Sequence, residues 1–197
     1  MGRPATDKRE RFVTAAVERF HVQGYAGTSL ADVAKAAGLS AGNVFYYFRT
    51  KEDLAHAVID AWRRRLGEHL STLADEADGW RRLERFIEQA DVGREGYVGL
   101  GCPLAGLARD LRRESDVLRA EIPRVYAVQH EWLRARFVDV GFTPEDAEAH
   151  ARFLMATYNG AILLAYAQDD DGLITSGVSS LQSWLRELRT SRGDEAR

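Results

Sequence analysis

A single cysteine, Cys102, stands among the 197 residues. One thiol excludes an internal disulfide, and a chain without that need is expected in the cytoplasm. No apolar run approaches the ~20 residues that cross a bilayer, so no membrane partner is expected. No secretory leader is expected before the first helix. Strand alternation bounded by hairpin turns is also missing, which predicts an all-α chain of about nine helices. The histidines, His21, His56, His69, His130 and His150, show no ligand spacing with cysteine or glutamate, so neither metal nor cofactor is expected. Lysine stops at Lys51, leaving Arg94 and Arg109 as the cations nearest Cys102 in sequence.

What is present belongs to a folded, water-exposed chain. It is 45% hydrophobic and 29% charged, within the globular range, and long enough for one medium domain or two small ones with a real core. Net charge is −3, which excludes a protein coated in positive charge. Residues 1–51 nevertheless hold eight Lys/Arg against four Asp/Glu, net +4, leaving −7 for the rest. A basic head on an acidic body suits a nucleic-acid contact confined to one end.

The head contains the most informative stretch. Ser29 and Asp32 match a capping box. Leu30, Val33, Ala34 and Ala37 then fall on one helical face. Gly38 supplies a left-handed turn residue, Leu39 pins it, and Ser40 is placed to cap a short helix over residues 41–48. Ala41, Gly42 and Asn43 are small or polar, so that end can approach another surface. Phe45 or Phe48 is expected to anchor inward, leaving at least one tyrosine hydroxyl outward. Helix, glycine turn and short second helix make a helix-turn-helix, whose second helix enters a DNA major groove.

The run TSLADVAKAAGLSAGNVFYYFRTKEDL resembles the DNA-binding segment of the TetR family of bacterial transcriptional regulators. The landmarks are Thr28, Ala34, Gly38, Gly42, Tyr46, Phe48, Lys51 and Leu54, within a match from Arg11 to Ile59. The resemblance implies a three-helix DNA-binding head, residues 1–51, and a helical effector-binding and dimerisation body, residues 52–197, that dimerises through its last two helices. Ala31 and Ala41 stand where relatives often carry longer polar residues, so base readout is expected to be sparse.

Other helices are expected over 5–23, from 51 to about 75–78, 80–91, 103–113, 116–140, 144–168 and 176–188. A short arm, residues 1–7, is expected to be disordered, the other reading being that Arg3 touches a phosphate or the minor groove. The glycine-rich stretch 93–101 reads as the most broken part of the body, and the tail from Thr190 as frayed.

The candidate DNA contacts follow from reach. Thr28 and Ser29, at the start of the second helix, and Lys51, at the start of the fourth, suit phosphate. Ser40, Ala41, Gly42 and Asn43 lie on the entering end, where Asn43 suits an adenine edge. Tyr46 and Tyr47 offer hydroxyls to phosphate and rings to thymine methyls, although Tyr47 equally suits packing under the turn. A homodimer interface is expected from Phe153, Ala156, Gly160 and Leu163 on one helix and Leu181, Trp184, Leu185 and Leu188 on the next. One of the two stripes equally reads as internal core.

The segment GCPLAGLA at residues 101–108 resembles a motif in one branch of the family, some of whose members sense electrophiles or oxidants through that cysteine. A thiol at a helix N-terminus is favoured as thiolate, whereas a lone buried cysteine is ordinarily a small hydrophobe. The alternative is a non-covalent inducer, identity unknown, held among Tyr97, Tyr126, His130, Trp132, Phe153, Tyr158 and Asn159. The function expected is that of a DNA-binding regulator, a repressor released by a small molecule or electrophile, not an enzyme. Two other classes remain. A thiol-dependent enzyme using Cys102 has no histidine near the motif in sequence. A helical protein-binding adaptor is disfavoured by the basic head and the placement of Tyr46 and Lys51.

Overall fold

The computed structural model describes residues 5–195. Arg3 and the first four residues of the expected arm lie outside them. The described chain is all-α, with ten helices: α1 Ala5–Gln23, α2 Leu30–Ala36, α3 Ala41–Tyr47, α4 Lys51–Leu73, α5 Gly79–Val92, α6 Arg94–Leu100, α7 Pro103–Glu114, α8 Asp116–Asp139, α9 Pro144–Gln168 and α10 Gly172–Glu195.

Local chemistry accounts for most boundaries. The side-chain oxygen of Thr143 accepts from the Asp146 N–H, and Pro144 follows at the first helical position, so α9 starts where cap, proline and acids coincide. Asp78 caps α5 by accepting from the Trp80 N–H at 2.9 Å. Thr50 and Asp53 form a reciprocal pair at the start of α4, with Thr50 N–H to Asp53 Oδ2 at 2.9 Å and Asp53 N–H to Thr50 Oγ1 at 3.0 Å. α8 runs through Pro123 without a break.

Three expectations need correction. Residues 94–100 form α6 despite Gly96 and Gly99, because Tyr97 and Val98 pack on an apolar core and that burial outweighs glycine's weak helix propensity. α10 starts earlier and continues past Thr190. Its end is tied back by Arg192, whose guanidinium lies 4.7 Å from the Phe142 ring centre. Residues 5–7 of the expected arm belong to α1, which spans the expected 5–23.

The chain forms two compact units, Met1–Arg65 with Pro103–Tyr126 and Leu66–Cys102 with Ala127–Arg197. This packing division departs from a boundary at residue 51. The first turns of α4 carry Leu54, Ala55, Val58 and Ile59 into the same core as Phe12, Phe20, Val44 and Phe48, and Leu107, Leu111 and Leu118 join them. The second core gathers Leu83, Phe86 and Ile87 of α5, Leu133 and Phe137 of α8, Leu154, Tyr158 and Ile162 of α9, and Leu181 and Leu185 of α10.

Candidate nucleic-acid interface

The interface is built on α2 and α3, each seven residues long and too short to hold itself together. The capping box is present. Asp32 N–H donates to Ser29 Oγ at 3.1 Å, and Ser29 N–H donates to Asp32 Oδ2 at 2.9 Å. The Ser29 hydroxyl and N–H together hold the Asp32 carboxyl below its usual range. α2 ends in a turn with Gly38 at φ +64°, a conformation that glycine reaches without the Cβ clash. Gly38 N–H donates to Lys35 O, and Leu39 N–H to Ala34 O, both at 3.0 Å. The Arg11 guanidinium donates to Ala37 O, so α1 braces the turn.

α3 is fixed from below and open above. Val44 and Phe48 are buried, Phe12 meets Phe48 edge-on at 6.4 Å, and the Arg9 guanidinium lies over the Phe48 ring. Phe48, not Phe45, is therefore the anchor. Phe45 points out, as does Tyr46, 81% exposed. Ser40, Ala41 and Gly42 are exposed and Asn43 is half-buried. A Cβ on Gly42 would meet nothing within 4 Å, so packing inside the protein gives no reason for glycine there. Ser40 has extended backbone angles but makes no side-chain cap bond, against expectation. Its carbonyl instead accepts the Asn43 N–H at 3.0 Å. Tyr47 is half-buried, 5.9 Å from Phe12 and edge-on to Tyr46 at 5.0 Å, which is the packing alternative.

The two expected phosphate contacts flanking this unit are engaged internally. Thr28 is 1% exposed, and its hydroxyl donates to Gly24 O at 2.8 Å. It is a brace for the α1–α2 turn, because a buried hydroxyl must find a partner. The Lys51 ammonium donates to Ala26 O at 3.2 Å and lies 4.2 Å from the Tyr25 ring centre. Burial pulls its pKa down, partly offset by Glu114. Ser29 remains exposed. Arg9, Arg11 and Thr50, none of them among the expected residues, also brace this unit. Only Thr50 left a signal, the Thr-x-x-Asp spacing to Asp53.

The expected effector residues divide. Tyr97 and Tyr158 act on each other's phenols, and Cys102 lies close enough to influence both. Burial raises both phenols, Tyr158 well above the usual value. Phe86 stacks on Trp132 at 5.9 Å and lies 5.3 Å from Tyr158. Tyr97, Cys102, Trp132 and Tyr158 thus belong to one neighbourhood in the second core, and Cys102 directly precedes α7. The others do not join it. Tyr126 packs on the first core. His130 Nε2 lies 3.3 Å from Glu148 Oε1, on a carboxylate that takes Arg152 at 2.7 Å. Asn159 donates to Met155 O at 2.8 Å on its own helix. Phe153 is 49% exposed. Among the described residues, no cluster of His, Cys, Asp or Glu is arranged to hold a metal, and no helix is long and apolar enough to cross a membrane.

The expected dimer residues divide as well. Phe153, Ala156 and Leu163 on α9 are exposed and Gly160 is half-buried, with Leu164 and Tyr166 exposed alongside. On α10, Leu181 and Leu185 are each 1% exposed. They fill the second core, where α10 packs on α9 and α5, so that stripe is internal. Trp184 and Leu188 are half-buried.

Comparison with known proteins agrees with this architecture. Residues 12–58 match the model for bacterial regulatory proteins of the tetR family. Residues 82–176 match the C-terminal domain of LmrA/YxaF-like transcriptional regulators. An HTH-type transcriptional regulator of Mycobacterium tuberculosis is 32% identical over 174 residues, covering 82% of this chain and 86% of the relative. The HTH-type transcriptional repressor DhaR of a Mycobacterium species is 26% identical over 168 residues, covering 80% and 82%. The crystal structure of a TetR transcriptional regulator from Chloroflexus aurantiacus superposes with a TM-score of 0.77 at 28% identity, covering 92% and 95%. Helix-turn-helix geometry, the match of both halves and the relatives aligned over most of their length agree: the chain belongs to the TetR family of DNA-binding bacterial transcriptional regulators.

Proposed function

We propose that the protein is a homodimeric, cytoplasmic repressor that leaves its operator when an effector binds in the second core. The observation that carries the DNA half is the outer surface of α3. Tyr46 is almost fully exposed beside a glycine with open space over it, and an exposed aromatic next to a close-approach position suits a groove floor and its phosphates. Ser29, Ala41, Gly42, Asn43 and Tyr46 form this contact set. Lys51 joins it through the two ammonium donors that Ala26 does not take.

The outer face of α9 supports the dimer. Leu163 is 62% exposed, and Phe153, Leu164 and Tyr166 are about half exposed on the same 25-residue helix. An apolar stripe of this kind is what a symmetric helix pair covers. Two heads would then meet successive major grooves roughly 34 Å apart. The name of the repressor DhaR, a relative aligned along most of its length, supports repression.

The effector is a small molecule or an electrophile. Cys102 with the Tyr97–Tyr158 pair supports this neighbourhood as its site, since a thiol ahead of α7 and two phenols offer covalent or hydrogen-bonding capture. A coupling of about 1–3 kcal/mol between the sites is sufficient. The test is salt-titrated binding to the DNA upstream of the protein's own gene, with and without a mild thiol-reactive electrophile, in wild type and Cys102→Ser. Release by the electrophile in wild type alone establishes the thiol route. Binding indifferent to the electrophile moves the effector to non-covalent capture.

A further inference from the structure

The turn that leads into α2 is held by a residue far away in the chain. Gly24 ends α1 with φ +76°, and the next residue, Tyr25, donates its N–H to Asp110 Oδ2 on α7 at 2.9 Å, across 85 positions. The fit is tight. A Cβ on Gly24 would lie 2.8 Å from that same oxygen. The Asp110 side chain is 15% exposed, and its other oxygen takes the Arg109 guanidinium at 3.1 Å. The turn passes directly to the buried Thr28, whose hydroxyl closes back on Gly24 O, and then to Ser29, the cap of α2.

We propose that Asp110 is a positioning residue for operator binding: its carboxylate sets the Gly24–Thr28 turn and thereby the seating of α2 and α3. This rests on DNA binding through α2–α3 and is independent of the effector reading. α2 is too short to impose its own direction, so its start must be fixed by whatever holds the preceding turn. A partly buried carboxylate accepting a backbone N–H is among the stronger single hydrogen bonds. An asparagine oxygen can accept the same N–H. Alanine cannot, and glutamate places its oxygens one bond further out, against Gly24.

The test measures binding to a duplex selected from a randomised pool by wild type, using Asp110→Asn, Asp110→Ala, Asp110→Glu and, as a contact control, Tyr46→Ala. The Asp110→Asn variant is expected within about threefold of wild type, and Asp110→Ala and Asp110→Glu about tenfold weaker. The salt slope should stay unchanged in every Asp110 variant, because Asp110 neutralises no phosphate. The Tyr25 amide resonance should move much further in Asp110→Ala than in Asp110→Asn. Wild-type affinity in both Asp110→Ala and Asp110→Glu overturns the proposal, and so does Asp110→Asn binding as weakly as Asp110→Ala. If Asp110→Ala fails to fold, Asp110→Glu decides alone. Unchanged binding by Tyr46→Ala instead faults the contact surface, which separates the two failures.

Discussion

α3 and α9 both hold large apolar side chains out to solvent, and they do so in opposite ways. α3 has seven residues and depends on its neighbours: the Arg11–Ala37 bond and the Gly38 turn seat it, while the buried Phe48, the residue after it, pins its end. Its exposed rings, Phe45 and Tyr46, are interleaved with Gly42 and Asn43. α9 has 25 residues and its own core face of Ala147, Ala151, Leu154, Tyr158, Ile162 and Ala165. Its exposed side chains, Phe153, Leu163, Leu164 and Tyr166, need no polar company. A surface that mixes rings with small and polar groups suits a hydrated, charged partner. One that repeats apolar residues along a stable helix suits another such helix. Exposure alone does not name a partner, whereas the company an exposed residue keeps does.

The hardest blow to this comparison is Leu163→Glu. A charge in the α9 stripe is expected to turn dimers into monomers in sedimentation and to weaken operator binding on the order of a hundredfold, because two linked contacts become one. Tyr46→Ala comes next, with operator affinity falling about tenfold and the melting temperature unchanged, since the ring makes few internal contacts. A drop in melting temperature would return Tyr46 to a structural role. Thr28→Val keeps shape but removes the hydroxyl that Gly24 O accepts. It should cost about 1–3 kcal/mol in denaturant unfolding, with Thr28→Ser close to wild type, showing that the α2–α3 side is held by braces.

The smallest expected effect is a pH slope on the α9 side. His150 lies 4.5 Å from Phe142, 5.4 Å from Phe137 and 5.6 Å from Trp184. Burial lowers its pKa, with Asp146 partly opposing. The unfolded chain therefore takes up this proton first as pH falls. Stability tied to the neutral ring is complete above about pH 6.5 and is lost as pH drops through the lowered folded value. Melting scans should show this loss in wild type and not in His150→Gln. Asp32 and Asp53, whose pKa values are lowered by the cap bonds from Ser29 and Thr50, act only in the more acid range where carboxylates protonate.

Local chemistry was legible in the sequence where the signal was local. Ser29 with Asp32, Gly38, and Thr143 with Pro144 announced a cap, a turn and a start that the structure contains. Thr50 with Asp53 carried the same kind of signal. What could not be read depended on long-range placement. Nothing near Thr28 says that its hydroxyl turns inward to Gly24, and nothing near Tyr25 points to Asp110. The periodicity of Leu181 and Leu185 marks an apolar face without saying whether it faces its own core or a second chain. Tyr126 and Tyr158 look alike in sequence, yet each packs in a different core. α6 was hidden because Gly96 and Gly99 dominate local propensity, while Tyr97 and Val98, which hold it, act through packing.

Footprinting of a selected duplex, with the mass of the complex measured alongside, decides whether two α3 helices reach one operator through a dimer built on α9. Two protected half-sites about one helical turn apart and two protomers per duplex are expected, both lost in Leu163→Glu. A single protected site holding one protomer, or protection unchanged in Leu163→Glu, would contradict that arrangement.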